Sequence, residues 1–220
     1  AELNEKLEKQ REKAQKLAKV LSNLRRQTAK TFVKRVQEEL NFLDMPNVEF
    51  EVEQLSAEME MQGTDRVQFL ISTNAGEPLK PISKIASGGE LSRIMLAIKC
   101  VLADRDEIGT LIFDEVDTGV SGSAAQKVGL KLWETSRGRQ VLCVTHLAQI
   151  AALGDQQYFI SKRVDSGRTF TKVDLLNREG RVKEIARITG GGELTSLLLQ
   201  NASEMLSRGE RKKLALTKQG

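Results

Sequence analysis

With 220 residues, 40% of them hydrophobic and 29% charged, the chain can bury one good-sized core with an appendage beneath a heavily charged surface. An aromatic content of 4% argues against a stacking platform for single-stranded nucleic acid, while the formal charge of +4 permits an acidic partner such as DNA without requiring one. No apolar stretch is long enough to span a bilayer, no signal-peptide pattern is present, and Cys100 and Cys143 sit in apolar runs without metal-ligand spacing. These features predict a soluble protein of the reducing cytoplasm with no membrane partner. The chain opens without Met inside a charged helical run, as a segment of a longer protein would.

Residues 1–45 read as one helix. Leu3, Leu7, Gln10, Ala14, Leu17, Leu21, Leu24, Thr28 and Thr31 follow an alternating four-three spacing between charged flanks. That is a coiled-coil arm, or an amphipathic helix lying on its own domain, and a coiled coil would need a partner helix from elsewhere. The apolar stripe then shifts to Phe32, Val33, Val36, Leu40 and Leu43, and Pro46 supplies a stop. Residues 46–220 read as the globular lobe. VEFEVEQL (48–55) and RVQFLIST (66–73) alternate as half-buried strands do, with Gly63, Thr64 and Asp65 as punctuation and a loop over 74–81.

From residue 82 the pattern changes. A helix is predicted over 91–102, with Leu91, Met95, Ile98 and Leu102 facing the core. TLIF (110–113) reads as a strand covered on both faces, 122–136 as a helix with Ala125, Val128, Leu132 and Trp133 inward, and VLCVT (141–145) as a second buried strand. Strand, helix and strand at this spacing make a βαβ unit with parallel strands. A short helix (147–152), a hairpin at the sheet edge turning around Asp165, Ser166 and Gly167, and two closing helices complete the chain.

In a parallel α/β sheet ligands gather at the carboxyl ends of the strands. There the first strand ends in Asp114 and Glu115, and the second ends in the sole histidine, His146. An apolar strand closing on two acids is the Walker B pattern. Asp114 would hold the Mg²⁺ of a nucleotide, and Glu115 would orient or deprotonate an attacking water. His146 could bond the γ-phosphate or that water. Taken singly, the acids fit a solvated strand end and the histidine a satisfied backbone contact. Gly88 and Gly89 open a helix just before this strand, as in an anion site, yet no G-x-x-x-x-G-K-[ST] occurs in the chain.

SGGELSR (87–93) resembles the signature motif of ABC-type ATPases, in the form found in the chromosome-maintenance (SMC-like) branch. TLIFDEVDTGVSG (110–122) resembles that branch's Walker B segment and D-loop, and VLCVTH (141–146) its switch-histidine strand. Together with EIARITGG (184–191), the combination is most similar to the DNA-repair members of the branch. The resemblance implies an α/β fold, the C-terminal lobe of an ABC-type head with a coiled-coil helix. It also implies ATP and Mg²⁺ as ligands. Ser87, Gly88, Gly89 and Glu90 would reach, in trans, the γ-phosphate of an ATP held by a facing head. Residues 117–122, with Asp117 and with Ser121 where a second Asp is usual, would be the D-loop between heads. The implied partners are a P-loop-bearing N-terminal lobe, a second head and double-stranded DNA, in ATP-dependent double-strand-break repair at the nucleoid. The chain alone would then be inactive. A transporter nucleotide-binding subunit and a structural docking module without turnover are the rival readings. For DNA contact the sequence itself offers the modest positive charge and scattered basic clusters such as those at 30–35 and 208–213, each of which also fits a solvated helix face.

Overall fold

A computed structural model describes residues 2–74, 76–85, 87–103, 105–165 and 167–218, and the chain divides into two compact units, 1–87 and 88–220. The division at 45/46 drawn from the sequence falls inside the first unit.

Helix α1 (Glu2–Phe42) is built from strong helix formers and carries Glu-to-Lys pairs four residues apart, Glu2–Lys6 and Glu5–Lys9, both at 2.7 Å. It closes before Pro46. Asp44 takes the left-handed conformation (φ 59°), its N–H donates to Asn41 O at 3.2 Å, and the Met45 N–H donates to Leu40 O at 3.0 Å. This is a Schellman closure, and the buried Leu40 and Met45 make up its hydrophobic pair. The proline lies beyond a helix already ended.

Strands β1 (Glu49–Glu60) and β2 (Gly63–Ser72) form an antiparallel hairpin, and the two-residue β3 (Lys80–Pro81) pairs with β2. The hairpin is longer than the alternation predicted, and Gly63 begins a strand rather than the turn. Helix α1 packs on it through Ala18, Ser22, Arg25, Ala29, Phe32 and Val36, a stripe that itself repeats four-three and lies one residue beyond the leucine seam, with Leu40 and, past the helix end, Leu43 also buried. Phe32, Phe50 and Phe69 meet at centroid distances of 5.5–5.9 Å. Farther along the helix, Asp65 accepts from Ser22 Oγ (2.8 Å) and Arg25 Nη1 (3.1 Å), while Gln54 Nε2 donates to Ser22. The leucines of the seam stay exposed.

The second unit starts with α2 (Gly88–Val101). It buries Ile94, Leu96, Ala97, Ile98 and Val101 together with Gly89 and Arg93, so it is covered on more than the one side predicted, with Leu91, Met95 and Leu102 only half-buried. Gly89 and Arg93 are among the buried positions although neither belongs to the apolar pattern. Strands β4 (Thr110–Phe113) and β5 (Gln140–Cys143) are parallel, in register from Thr110 opposite Gln140 to Phe113 opposite Cys143, and α3 (Gly122–Ser136) is the crossover. Trp133 of α3 is half-buried, beside the buried Ala125, Val128 and Leu132.

This sheet is covered on one face only. Leu111 and Phe113 are buried, whereas Ile112 is 70% exposed and Leu142 43%, contrary to the expectation from the continuous apolar run. Helix α4 (Ala148–Ala151) leads to strands β6 (Tyr158–Asp165) and β7 (Arg168–Leu175). They pair with each other as a separate two-stranded sheet rather than joining the edge of the parallel pair, and Ser166 of the expected turn lies outside the described residues. Helices α5 (Arg178–Gly190), capped by Asn177, and α6 (Ser196–Thr217), capped by Thr195, close over α4. Their core is Ala148, Ala152, Ile185, Ala186, Ala202 and Leu206.

Phe50→Ala should cost about 3 kcal/mol in urea unfolding, because the other two rings cannot collapse into the space. Hydrogen bonding from Gln54, then from Ser22 and Arg25, holds the Asp65 carboxyl below its ordinary range against the opposing effect of burial. A lowered folded-state pKa gives stability that is present above the unfolded carboxylate's pKa and lost as pH falls through the folded one. Asp65→Asn should therefore be less stable than the parent at neutral pH, with the gap closing in acid; a gap independent of pH would remove Asp65's charge from this account.

Candidate functional site

The parallel register brings the ends of β4 and β5 to one rim, and two loops meet there. The first runs from Asp114 to Val120. Glu115 adopts φ 57°, a conformation few residues other than glycine take, and it is held by two bonds: Asp114 Oδ1 accepts from the Glu115 N–H (2.9 Å), and Glu115 O accepts from the Thr118 N–H (3.1 Å). Asp114 and Glu115 are both exposed.

The second loop, 144–147, is tied to the first through Asp117. That carboxylate is 2% exposed, and its Oδ2 accepts from Thr145 Oγ1 (2.6 Å) and the His146 N–H (2.9 Å), with His146 Nδ1 3.1 Å away. The His146 ring is 71% exposed. Thr145 Oγ1 in turn accepts from the Leu147 N–H at 3.1 Å. Below the rim, burial pushes the Cys143 thiol up to about 12, with the Asp117 and Asp114 carboxylates adding to the effect.

The glycine pair lies against the first loop. A Cβ on Gly88 would collide with Glu115 Oε2. One on Gly89 would stand 2.7 Å from Thr118 Cβ, 3.0 Å from Thr118 O and 3.1 Å from Glu115 O. Ser92 and Arg93, on the next turn of α2, hold the same loop from the side: Ser92 Oγ donates to Asp114 O (2.7 Å), and Arg93 Nη1 donates to Thr118 O (2.6 Å). Arg93 is 8% exposed, its Nε has no partner, and burial lowers its pKa, with Glu90 opposing. Thus Gly88, Gly89, Asp114 and Glu115 form one cluster, and Asp117 with His146 an adjoining one on the same rim. Ser121 is the exposed N-cap residue of α3, where its side chain makes no capping bond, and Ser87 is exposed at the end of the first unit.

Sequence reasoning missed three residues that organise this site: Ser92, Arg93 and Thr145. Ser92 and Arg93 stand inside the quoted SGGELSR string, and Thr145 directly precedes the single histidine; a buried arginine on an otherwise apolar helix face was the available signal. No group of three His, Cys, Asp or Glu that could hold a metal ion occurs among the described residues. A Mg²⁺ ion held by Asp114 would have to take its remaining ligands from water and a bound phosphate.

Of the two basic clusters, the one at 208–213 is largely paired: Arg211 and Arg208 reach Glu204 (2.9 and 3.8 Å), and Lys213 reaches Asp155 (2.7 Å). Lys30, Lys34 and Arg35 line exposed positions of α1. No helix among the described residues is long and apolar enough to cross a membrane.

No family model matches the chain. It is 43% identical over 209 residues to the DNA repair protein RecN of Bacillus subtilis, covering 88% of this chain and 36% of that protein. To the RecN protein of Vibrio cholerae it is 46% identical over 180 residues, covering 81% and 32% respectively. The chain thus spans about a third of the length of these relatives. Among solved structures, the Smc head domain with a coiled coil and joint from Pyrococcus yayanosii aligns with a TM-score of 0.53 at 21% identity, covering 76% of this chain and 31% of that one. The shared feature is the fold, a mixed α/β head with a long helix.

Gly89→Ala should destabilise the chain by about 1–3 kcal/mol in urea unfolding, since its new methyl meets backbone oxygens that cannot retreat. Gly88→Ala should cost less: its new methyl meets only the far end of the Glu115 side chain, which can move aside. Equal costs at the two positions would contradict this packing. Native Cys143 should alkylate more than about a hundredfold slower at pH 8 than a free thiol, read by mass spectrometry.

Proposed function

The chain belongs to the RecN family of DNA repair proteins, as a segment about a third of their length, and we propose that it is the C-terminal lobe of an SMC-like ATPase head. The observation carrying this reading is the shared rim. The Asp114-Glu115 turn, the signature glycines packed on it and His146 held beside it occupy one end of a parallel sheet, in a chain without a P-loop lysine motif. Such a lobe supplies half of a nucleotide site.

In this reading ATP is held by a P-loop-bearing lobe of the same protein. Mg²⁺, when bound, neutralises phosphate charge beside Asp114. Glu115 accepts the proton of the attacking water or aligns it, from a carboxylate that is exposed beside Gly88. Ser87, Gly88, Gly89 and Glu90 present the N-terminal turn of α2 to the γ-phosphate of a facing head's nucleotide, where N–H groups and the helix dipole favour an anion. Asp117 and Ser121 belong to the loop that links the two sites.

The exposed face of Ile112, Leu142 and Val144 (54% exposed) is the surface a P-loop lobe would cover, which supports that partner. The exposed leucine seam of α1 supports a coiled-coil partner helix, so that 1–45 is an arm and 46–220 lobe. Nucleotide-dependent closure of two heads would change the grip on double-stranded DNA. The basic stretch assigned to that contact is the one at 30–35, for which no ion pair occurs among the described residues.

The chain alone should show no ATP turnover. Mixing with a P-loop-bearing RecN lobe should produce turnover, and Glu115→Gln should remove it while nucleotide binding persists. Turnover by the isolated chain, or full turnover with Glu115→Gln, would overturn the assignment; silence on mixing with lobes shown to associate would favour a structural docking module. Affinity for duplex DNA should fall with added salt if the basic stretch contacts phosphates.

A further inference from the structure

We propose that Arg93 is a positioning residue for the reaction: by holding the Thr118 carbonyl it fixes the turn that carries Glu115, so that the place of the Glu115 carboxylate is referenced to helix α2. This deepens the role of Glu115 and rests on the reading of the rim as an ATPase site.

The acidic turn begins where β4 ends, at Phe113. Inside it, Glu115 stands at φ 57° and its carbonyl accepts from the Thr118 N–H at 3.1 Å. Helix α2 holds this turn at three points. Ser92 Oγ donates to Asp114 O at 2.7 Å, just before Glu115, and Arg93 Nη1 donates to Thr118 O at 2.6 Å, at the far end of the turn. Between the two bonds Gly89 lies so close that a Cβ there would stand 3.1 Å from Glu115 O. Two bonds that bracket a turn, with a packing contact between them, leave it no axis to swing about.

Among the three points Arg93 is the one that packing does not explain. It is 8% exposed, on a helix whose other buried positions are Gly89, Ile94, Leu96, Ala97, Ile98 and Val101. A guanidinium taken out of water is costly unless its donors are used, and the Arg93 Nε has no partner. An apolar side chain of similar length would fill the space without that cost, but it would give Thr118 O no donor. What Arg93 adds is the bond, which a cationic donor makes short and strong. From Thr118 the path to Glu115 is one hydrogen bond long, and the Glu115 carboxylate lies beside Gly88 of the same helix. A general base works only within hydrogen-bond reach of its proton, and a misplacement of about 1 Å costs about a hundredfold in rate. Arg93 touches none of the reacting atoms; it acts through Thr118 and Glu115.

Amide hydrogen exchange in the nucleotide-free chain tests the clamp without reference to any activity. Arg93→Met should speed exchange of the Thr118 N–H by at least about tenfold while the Val128 and Leu132 amides of α3 keep their rates. Unchanged exchange at Thr118, or a rise shared equally by α3, would overturn the proposal. If that variant does not fold by circular dichroism, Arg93→Lys, which keeps a cationic donor but loses the planar fork, should raise exchange at Thr118 alone by a smaller factor. In a RecN protein of full length carrying this lobe, Arg93→Met should lower kcat by at least about tenfold with the KM for ATP within about twofold, and Arg93→Lys should recover part of kcat. A raised KM with kcat intact, or equal losses in the two variants, would overturn the positioning role. Absence of turnover in the unmodified protein would overturn the ATPase reading and with it any part for Arg93 in a reaction, whereas unchanged Thr118 exchange overturns the clamp alone.

Discussion

A carboxylate removed from water costs several kcal/mol unless donors replace its hydration, and in the second unit Asp117 is where that demand is met. Its one oxygen gathers the Thr145 hydroxyl and the His146 N–H, so the loop after β4 and the loop after β5 cannot drift apart without stranding a charge. Much of the rim follows from this. The parallel register sets the strand ends side by side, the carboxylate locks the loops that leave them, and Arg93 and Ser92 clamp the first loop onto α2. The strained backbone at Glu115 persists because it is over-determined from both sides.

The same demands explain what the sequence disclosed. The limits of β4 and α3 could be read to the residue, because an apolar run between Gly109 and Asp114 and a periodic stretch between Ser121 and Gly138 leave little freedom. The strand ends carrying Asp114 and His146 could be placed on one rim from topology alone. The buried face of α2 could not, since hydropathy assigns Leu91 and Met95 to the core and gives no hint that Arg93 would be buried there. Nor could the role of Asp117 be read: an acidic residue in a glycine-rich loop looks solvated, and only the fold shows that it turns inward. Hydropathy also misjudged the sheet. The runs TLIF and VLCVT describe strands apolar on both faces, but Ile112 and Leu142 on one of those faces are exposed.

The glycine pair carries two requirements at once. Phosphate approach is the reason the sequence offers for Gly88 and Gly89, and the structure adds a second that operates without any nucleotide. Gly89 is pressed onto Thr118 and the Glu115 carbonyl, so the signature turn and the acidic turn are packed as one piece. A substitution that spoils one of these surfaces disturbs the other even where it never meets a ligand. Sequence identity in this stretch therefore reports on packing as well as on chemistry.

The long helix of the first unit bears two neighbouring stripes of equal period, one residue and so about 100° apart around its axis. One stripe is sunk onto the β1–β2 hairpin through the phenylalanine trio and the Asp65 network; the other is the free leucine seam. A rod keyed along its side cannot roll. Were a companion helix to pack on the seam, the azimuth of their contact would be set by side chains that the companion never touches. A torque applied along the helix would arrive at Ser22, Arg25 and Phe32 as shear between helix and hairpin.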